Sequence, residues 1–302
     1  MKKKSPFPSI HNFDYQIQRD DVKAMRKTLD RLDDEQRSRL LSMESSSTKD
    51  PWFVLGLKKG WNCALALIDY GVDVERRKEG VKNWYFFLKT IEDKKKKAQW
   101  TDKDQNLAFT LFDALIHKKM HLDNTEVEGV YNESPVAIEF VNFHKNNPEL
   151  AKYFINQALD SGYTFHAPDS YGRTPFSFAV WRLDLEMIDF LLAQKVDVNP
   201  PVKSSSDSIL HMVFTNHSED KRKSENLEEV FAVLDHLDQK SGLRFEDQEI
   251  LETTRKLWGK YDNSHPEKRV LERVEAYVSK RNMNELQMHT PAVQSRSSLR
   301  RM

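Results

Sequence analysis

The sequence predicts an all-α protein, built as a solenoid of about six or seven helix-turn-helix units with helical end caps. Two observations lead to this prediction. The 302 residues include only nine glycines and eleven prolines, and no stretch alternates apolar and polar residues for long enough to form a large sheet. A short helix, a tight turn, a second helix and a polar loop also recur with a period of about 33 residues.

The predicted elements follow one another in a simple order. The segments at both ends of the array are more polar on one face, as end caps of a solenoid must be. The last residues are rich in Ser, Arg and Gln and poor in apolar residues, which predicts a disordered tail. The organisation is a flexible N-terminus (1–12), a terminal helix pair (13–45), repeat units (50–78, 81–125, 131–168, 169–202 and 205–245), a second terminal pair (247–283) and the tail (284–302).

The first clear repeat unit covers residues 50–78. It opens with Asp50-Pro51-Trp52, continues through the apolar segment Ala64-Leu65-Ala66-Leu67-Ile68 and ends on Gly71-Val72-Asp73-Val74. The opening tripeptide predicts the start of one helix, and the apolar segment predicts the buried stripe of a second.

The next unit, residues 81–125, carries an insertion between its two predicted helices. The insertion reads Glu92-Asp93-Lys94-Lys95-Lys96-Lys97. One hypothesis is that Lys94–Lys97 bind the phosphates of nucleic acid or phospholipid. Acidic residues flank the lysines closely on both sides, however, and this pattern favours a solvated insertion loop.

The second clear unit covers residues 169–202, and each residue type at its start has a physical reason. Gly172 can adopt a positive φ in the turn, and Thr174 can cap the helix by accepting a hydrogen bond from an open amide. Pro175 at the first helical position costs no intrahelical hydrogen bond. Ala179 is small enough to let the paired helices approach closely.

The residues of the two clear units resemble the ankyrin repeat. That family's pattern is a Gly turn, then Thr-Pro-Leu-His-x-Ala, a leucine-rich second helix and Ala-Asp-Val-Asn. Residues 169–202 follow it from Gly172 to Asn199, and residues 50–78 keep the same register. The chain departs from the pattern at Lys195, which replaces a helix-ending Gly, and at Glu139, which replaces a small Ala. Weaker units begin at Ser134-Pro135-Val136 and Ser208-Ile209-Leu210-His211.

The resemblance also implies where a partner would bind. Ankyrin repeats contact partners through the turn tips and the exposed side of each first helix, which together form a concave surface. An alternative for Phe178 and Trp181 is that they pack against the next unit. The residues carried over to this surface are Tyr171, Arg173, Phe178, Trp181 and Arg182, with Lys82, Trp84 and Asn132 in analogous places of other units.

No catalytic motif stands out in the sequence. The chain lacks the Gly-rich phosphate-binding loops, the Gly-x-Ser-x-Gly elbow and the His-Glu-x-x-His helix, so we predict no enzyme activity and no cofactor. His117 and His121 share a predicted helix face without an evident third ligand, so no metal site is predicted. Cys63, the only cysteine, excludes an intramolecular disulfide and is expected to be a buried structural thiol.

The functional hypothesis is a monomeric, non-enzymatic scaffold that binds a partner protein. Lys plus Arg and Asp plus Glu both total 47, which argues against nucleic acid as a partner. No apolar run is long enough to cross a membrane, and cysteine usage favours a reducing, cytoplasmic compartment. The irregular repeats look similar to ankyrin effectors that intracellular bacteria inject into the host cytosol. An enzyme that selects its substrate through ankyrin units is the alternative.

Overall fold

The structure, a computed structural model, is all-α in the residues it describes. These residues are 7–76, 83–118, 135–169, 172–196, 198, 213–214, 227–240, 247–258 and 271–280. Besides helices and turns they contain one isolated antiparallel bridge, between Glu44 and Pro51. The chain divides into two compact units, Met1–Ser170 and Tyr171–Met302, which we describe separately. This architecture confirms the predicted fold class.

The first unit stacks its helix pairs into two layers. In the first layer α4 packs between α1 and α6, and in the second layer α5 packs between α2 and α7, followed by α9. Within a pair, α4 packs against α5 and α8 packs against α9. The helices are α1 (Ile10–Gln18), α2 (Val22–Leu29), α3 (Asp34–Leu41), α4 (Trp52–Lys59), α5 (Trp61–Asp69), α6 (Asn83–Lys96), α7 (Asp102–His117), α8 (Val136–His144) and α9 (Pro148–Asp160).

Aromatic side chains fill the core of this unit between successive helix pairs. The rings of Phe112 in α7 and Phe154 in α9 stack with centroids 4.3 Å apart and an interplanar angle of 18°. Phe140 of α8 lies 5.7 Å from Trp84 of α6, nearly perpendicular to it. Such ring pairs add about 0.5–1.5 kcal/mol each beyond their area burial.

The N-terminal segment differs from the prediction in two ways. The first helix begins at Ile10, inside the stretch expected to be flexible. The segment predicted as one helix pair forms three helices, because a capping box at Asp33 starts α3. The Asp33 side chain accepts a hydrogen bond from the backbone N–H of Gln36, and the Gln36 side chain accepts one from the backbone N–H of Asp33.

The predicted insertion loop is also corrected. Residues Glu92–Lys96 continue α6 as its last turns. No Gly or Pro interrupts this stretch, and lysines near a helix C-terminus interact favourably with the helix dipole. Lys94 Nζ lies 2.5 Å from a carboxylate oxygen of Asp104 in α7, so the extension is tied to its partner helix.

The second unit begins with the helix pair of the second clear repeat. Thr174 caps α10 as predicted: its hydroxyl accepts from the backbone N–H of Ser177 at 3.2 Å, with Pro175 at the first position. Gly172 has φ 78°, and Ala179 is fully buried. The helices are α10 (Pro175–Trp181), α11 (Leu185–Ala193), α12 (Leu227–Lys240), α13 (Asp247–Trp258) and α14, the helical residues 271–280.

Polar and aromatic contacts join the later helices of the second unit. His236 Nε2 of α12 lies 2.7 Å from a carboxylate oxygen of Asp189 in α11. The rings of Phe231 in α12 and Tyr277 in α14 stack with centroids 4.3 Å apart. The tail (284–302), and most of the predicted unit 205–245 outside α12, lie outside the described residues.

Candidate protein-binding surface

The structure describes five of the eight residues predicted to contact a partner. Lys82, Asn132 and Tyr171 lie outside the described residues. Trp84 belongs to α6 of the first unit. The second unit holds the others, which all lie in or beside α10: Arg173, Phe178, Trp181 and Arg182.

Three of these residues form one cluster, which we call the α10 cluster: Arg173, Phe178 and Trp181. Phe178 and Trp181 are three positions apart and therefore share a face of the helix. Arg173 directly precedes the cap residue Thr174, so the capped turn brings its side chain over that face. The local sequence thus positions all three side chains.

Contacts between the guanidinium group and both rings hold the α10 cluster together. The guanidinium carbon of Arg173 lies 5.0 Å from the ring centroid of Phe178 and 4.8 Å from that of Trp181. The two ring centroids are 5.3 Å apart. A cation over an aromatic face contributes about 0.5–2 kcal/mol, depending on how far it is removed from water.

Exposure differs among the residues at this face. Phe178 is only 7% exposed, so its ring forms the buried base of the cluster. This corrects the prediction that the Phe178 ring lies on the binding surface, since Arg173 and Trp181 lie against it. Arg173, Trp181 and Arg182 are half-buried. Each of these three residues is therefore partly accessible to solvent.

Trp84 was predicted to contact a partner, and the structure shows that its side chain belongs to the core. It is 2% exposed, and its ring lies 5.1 Å from Phe112 and 5.7 Å from Phe140. The physical reason is the orientation of α6, because the helix face that carries Trp84 is turned toward α7 and α8. The prediction is wrong for Trp84.

The neighbouring residue, Tyr85, is the exposed aromatic that sequence reasoning missed. It is 50% exposed on α6 and contacts Phe86 and Lys89. The signal in the sequence was the run of four aromatic residues Trp84-Tyr85-Phe86-Phe87. Because a helix turns about 100° per residue, four consecutive rings point in different directions and cannot all face the core. Trp84 and Phe87 are the buried members of this run.

Cys63, in the first turn of α5, is the only cysteine of the chain. Burial, together with the nearby Asp20 carboxylate, raises the pKa of the Cys63 thiol to about 12, so the thiol is protonated at neutral pH. The Cys63 side chain is fully buried, as predicted. The described residues contain no group of three or more His, Cys, Asp or Glu placed to hold a metal ion. No helix within the described part is long and apolar enough to span a bilayer.

Part of the chain matches a known protein family. Residues 137–192 match the family model for ankyrin repeats (many copies). The matched segment runs from α8 to α11 and so includes the helix pairs α8–α9 and α10–α11. No curated protein matches the chain.

Proposed function

We propose that the chain is a non-enzymatic ankyrin-repeat scaffold, because residues 137–192 match the ankyrin-repeat family model, and that it binds a partner protein through the first helices and turn tips of its repeats. In the second unit the contact residues are Trp181 and Arg182, with Arg173 supporting them. Ankyrin repeats are interaction modules, and Trp and Arg are enriched among the residues that dominate binding energy at protein interfaces.

The single observation that carries the proposal is the fixed position of Arg173 against two aromatic rings. A long cationic side chain normally loses conformational entropy when a partner immobilises it. Here the guanidinium group already lies about 5 Å from both ring centroids before any partner arrives. Such preorganisation lowers the entropic cost of binding and leaves more of the contact energy for affinity.

The test is affinity capture from cell lysate followed by mass spectrometry. We expect the double variant Trp181→Ala, Arg182→Ala to lose at least one protein that the wild-type chain captures, while helical content and melting temperature stay close to wild type. Gln194→Ala is the control, since Gln194 is exposed beyond the end of α11. An unchanged set of captured proteins would contradict the proposal. Loss of helical structure in the double variant would assign the two residues to folding instead.

We propose further that the scaffold is a monomer in a reducing, cytoplasmic compartment. Light scattering of the purified chain should give the mass of one chain at all concentrations tested.

The more specific role, an effector injected by an intracellular bacterium, is supported by the irregular repeat lengths, including the extended helix α6. A reporter fusion that signals only after transfer into a host cell tests this role, and a fusion retained by the bacterium would count against it.

A further inference from the structure

A second exposed surface lies in the first unit, on the layer formed by the first helices. We call it the Tyr85 patch and define it as Lys58 of α4 with Tyr85, Phe86 and Lys89 of α6. Tyr85 is one of the few large apolar side chains exposed within the described residues, at 50%. Phe86 is half-buried beside it, with ring centroids 5.6 Å apart.

Contacts with neighbouring side chains fix the Tyr85 patch in place. Lys58 Nζ lies 4.3 Å from the Phe86 ring centroid and also binds both carboxylate oxygens of the buried Asp50, at 3.1 and 3.2 Å. Lys89 Nζ donates to the Tyr85 hydroxyl at 3.3 Å. Because Asp50 already balances the charge of Lys58, Lys89 is the cation that this patch offers to a partner.

The layer that bears Tyr85 is the more basic of the two layers in the first unit, although the whole chain is balanced. Helices α1, α4, α6 and α8 together contain six lysines and four acidic residues. Helices α2, α5, α7 and α9 together contain five Lys or Arg residues and six acidic residues. An approaching anionic segment is therefore attracted more strongly to the layer that bears Tyr85 than to the other layer.

We infer that the Tyr85 patch docks an acidic segment of a partner polypeptide. Tyr85 and Phe86 pack against an apolar side chain of that segment, and Lys89 pairs with one of its carboxylates. The inference rests on the proposed scaffold function and names the chemistry of the partner. A phosphate polymer or an anionic membrane fits less well, because each draws its affinity from several phosphate contacts, whereas this patch offers Lys89 as its cation beside two rings that suit an apolar side chain.

The experiment is selection of phage-displayed random peptides on the full-length protein, followed by fluorescence anisotropy with an enriched, labelled peptide. We expect the enriched peptides to combine Asp or Glu with an apolar residue. Lys89→Glu should weaken their binding about tenfold or more, and Tyr85→Ala should weaken it similarly. Lys103→Glu is the matched control, since it makes the same charge change at an exposed position of α7, in the other layer.

Three results would overturn the inference. Enriched peptides that are neutral or basic would contradict the charge selectivity. An equal loss of affinity in Lys89→Glu and Lys103→Glu would show an effect of net charge alone. Displacement of the peptide by phosphatidylserine vesicles or single-stranded oligonucleotide at lower concentration than by unlabelled peptide would assign the patch to a different partner. The capture experiment on Trp181 and Arg182 is independent, so the scaffold proposal can stand if this inference fails.

Discussion

The carboxylate of Asp20 accepts a hydrogen bond of 2.8 Å from the backbone N–H of Cys63, in the first turn of α5. Asp20 belongs to the turn between α1 and α2. Gly60, which precedes α5, has no side chain to cap that helix, and a Cβ there would lie 2.6 Å from the carbonyl oxygen of Ile17. One helix pair therefore supplies the cap for a helix of the next pair.

We expect Asp20→Ala to lower the free energy of unfolding by about 1–2 kcal/mol. The substitution removes the cap, and alanine is also disfavoured at the positive φ of 53° that this position adopts. Urea unfolding followed by circular dichroism measures the change. Asp20→Asn is the control, since asparagine keeps an acceptor oxygen and tolerates this backbone conformation. A stability of Asp20→Ala equal to that of Asp20→Asn would contradict the capping role.

A second carboxylate, Asp14, organises the loop before α4. It is 1% exposed, and one of its oxygens accepts from the hydroxyls of Ser45 and Ser47, both at 2.9 Å, while the other accepts from Gln18 at 2.8 Å. Burial by itself raises the pKa of Asp14. The hydrogen bonds from Gln18, Ser45 and Ser47 outweigh burial and hold the pKa below the ordinary value of 3.8.

The lowered pKa of Asp14 predicts an acid-sensitive contribution to stability. A carboxyl with a lower pKa in the folded than in the unfolded state stabilises the fold above its unfolded pKa, and this contribution is lost as the pH falls through the folded pKa. We expect Asp14→Asn to cost about 2 kcal/mol at neutral pH. The difference from wild type should shrink below pH about 4 in urea titrations.

Asp34→Asn provides the control for this pH dependence, because the side chain of Asp34 is fully exposed. Exposed ion pairs contribute little to stability, so this variant should follow the wild-type pH profile. A constant difference between Asp14→Asn and wild type across the acid range would show that the charge of Asp14 contributes nothing.

Lys195, at the end of α11, has a positive φ of 56° where the ankyrin pattern has glycine. Gly71 and Gly162 take positive φ after α5 and α9. We expect Lys195→Gly to raise the free energy of unfolding by about 0.5–1 kcal/mol, because glycine pays no Cβ penalty in this conformation. Thermal unfolding measures the change. Gln194→Gly, at a negative φ of −80°, should destabilise instead, and a gain from both variants would contradict the explanation.

Local features of the fold could be predicted because they depend on residues within one helical turn. The Thr174 cap, the Pro175 start and the Gly172 turn need only their own neighbours in sequence. The burial of Cys63 followed from the apolar stripe of one helix. The candidate site was predicted less well. The cluster of Arg173 with Trp181 lies within one short segment, whereas Trp84 was assigned to the wrong side of α6 and the exposed Tyr85 was missed.

The sequence by itself determined the helical class, the repeat pattern and the capping of α10, since periodicity and capping are properties of consecutive residues. Only the tertiary structure decided which aromatic of α6 is buried, that Asp20 caps a helix of the next pair, and that Lys94 joins Asp104. Each of these depends on a surface contributed by another helix. The orientation of a helix toward its neighbours is set by packing of the whole core, and no short stretch of sequence contains that information.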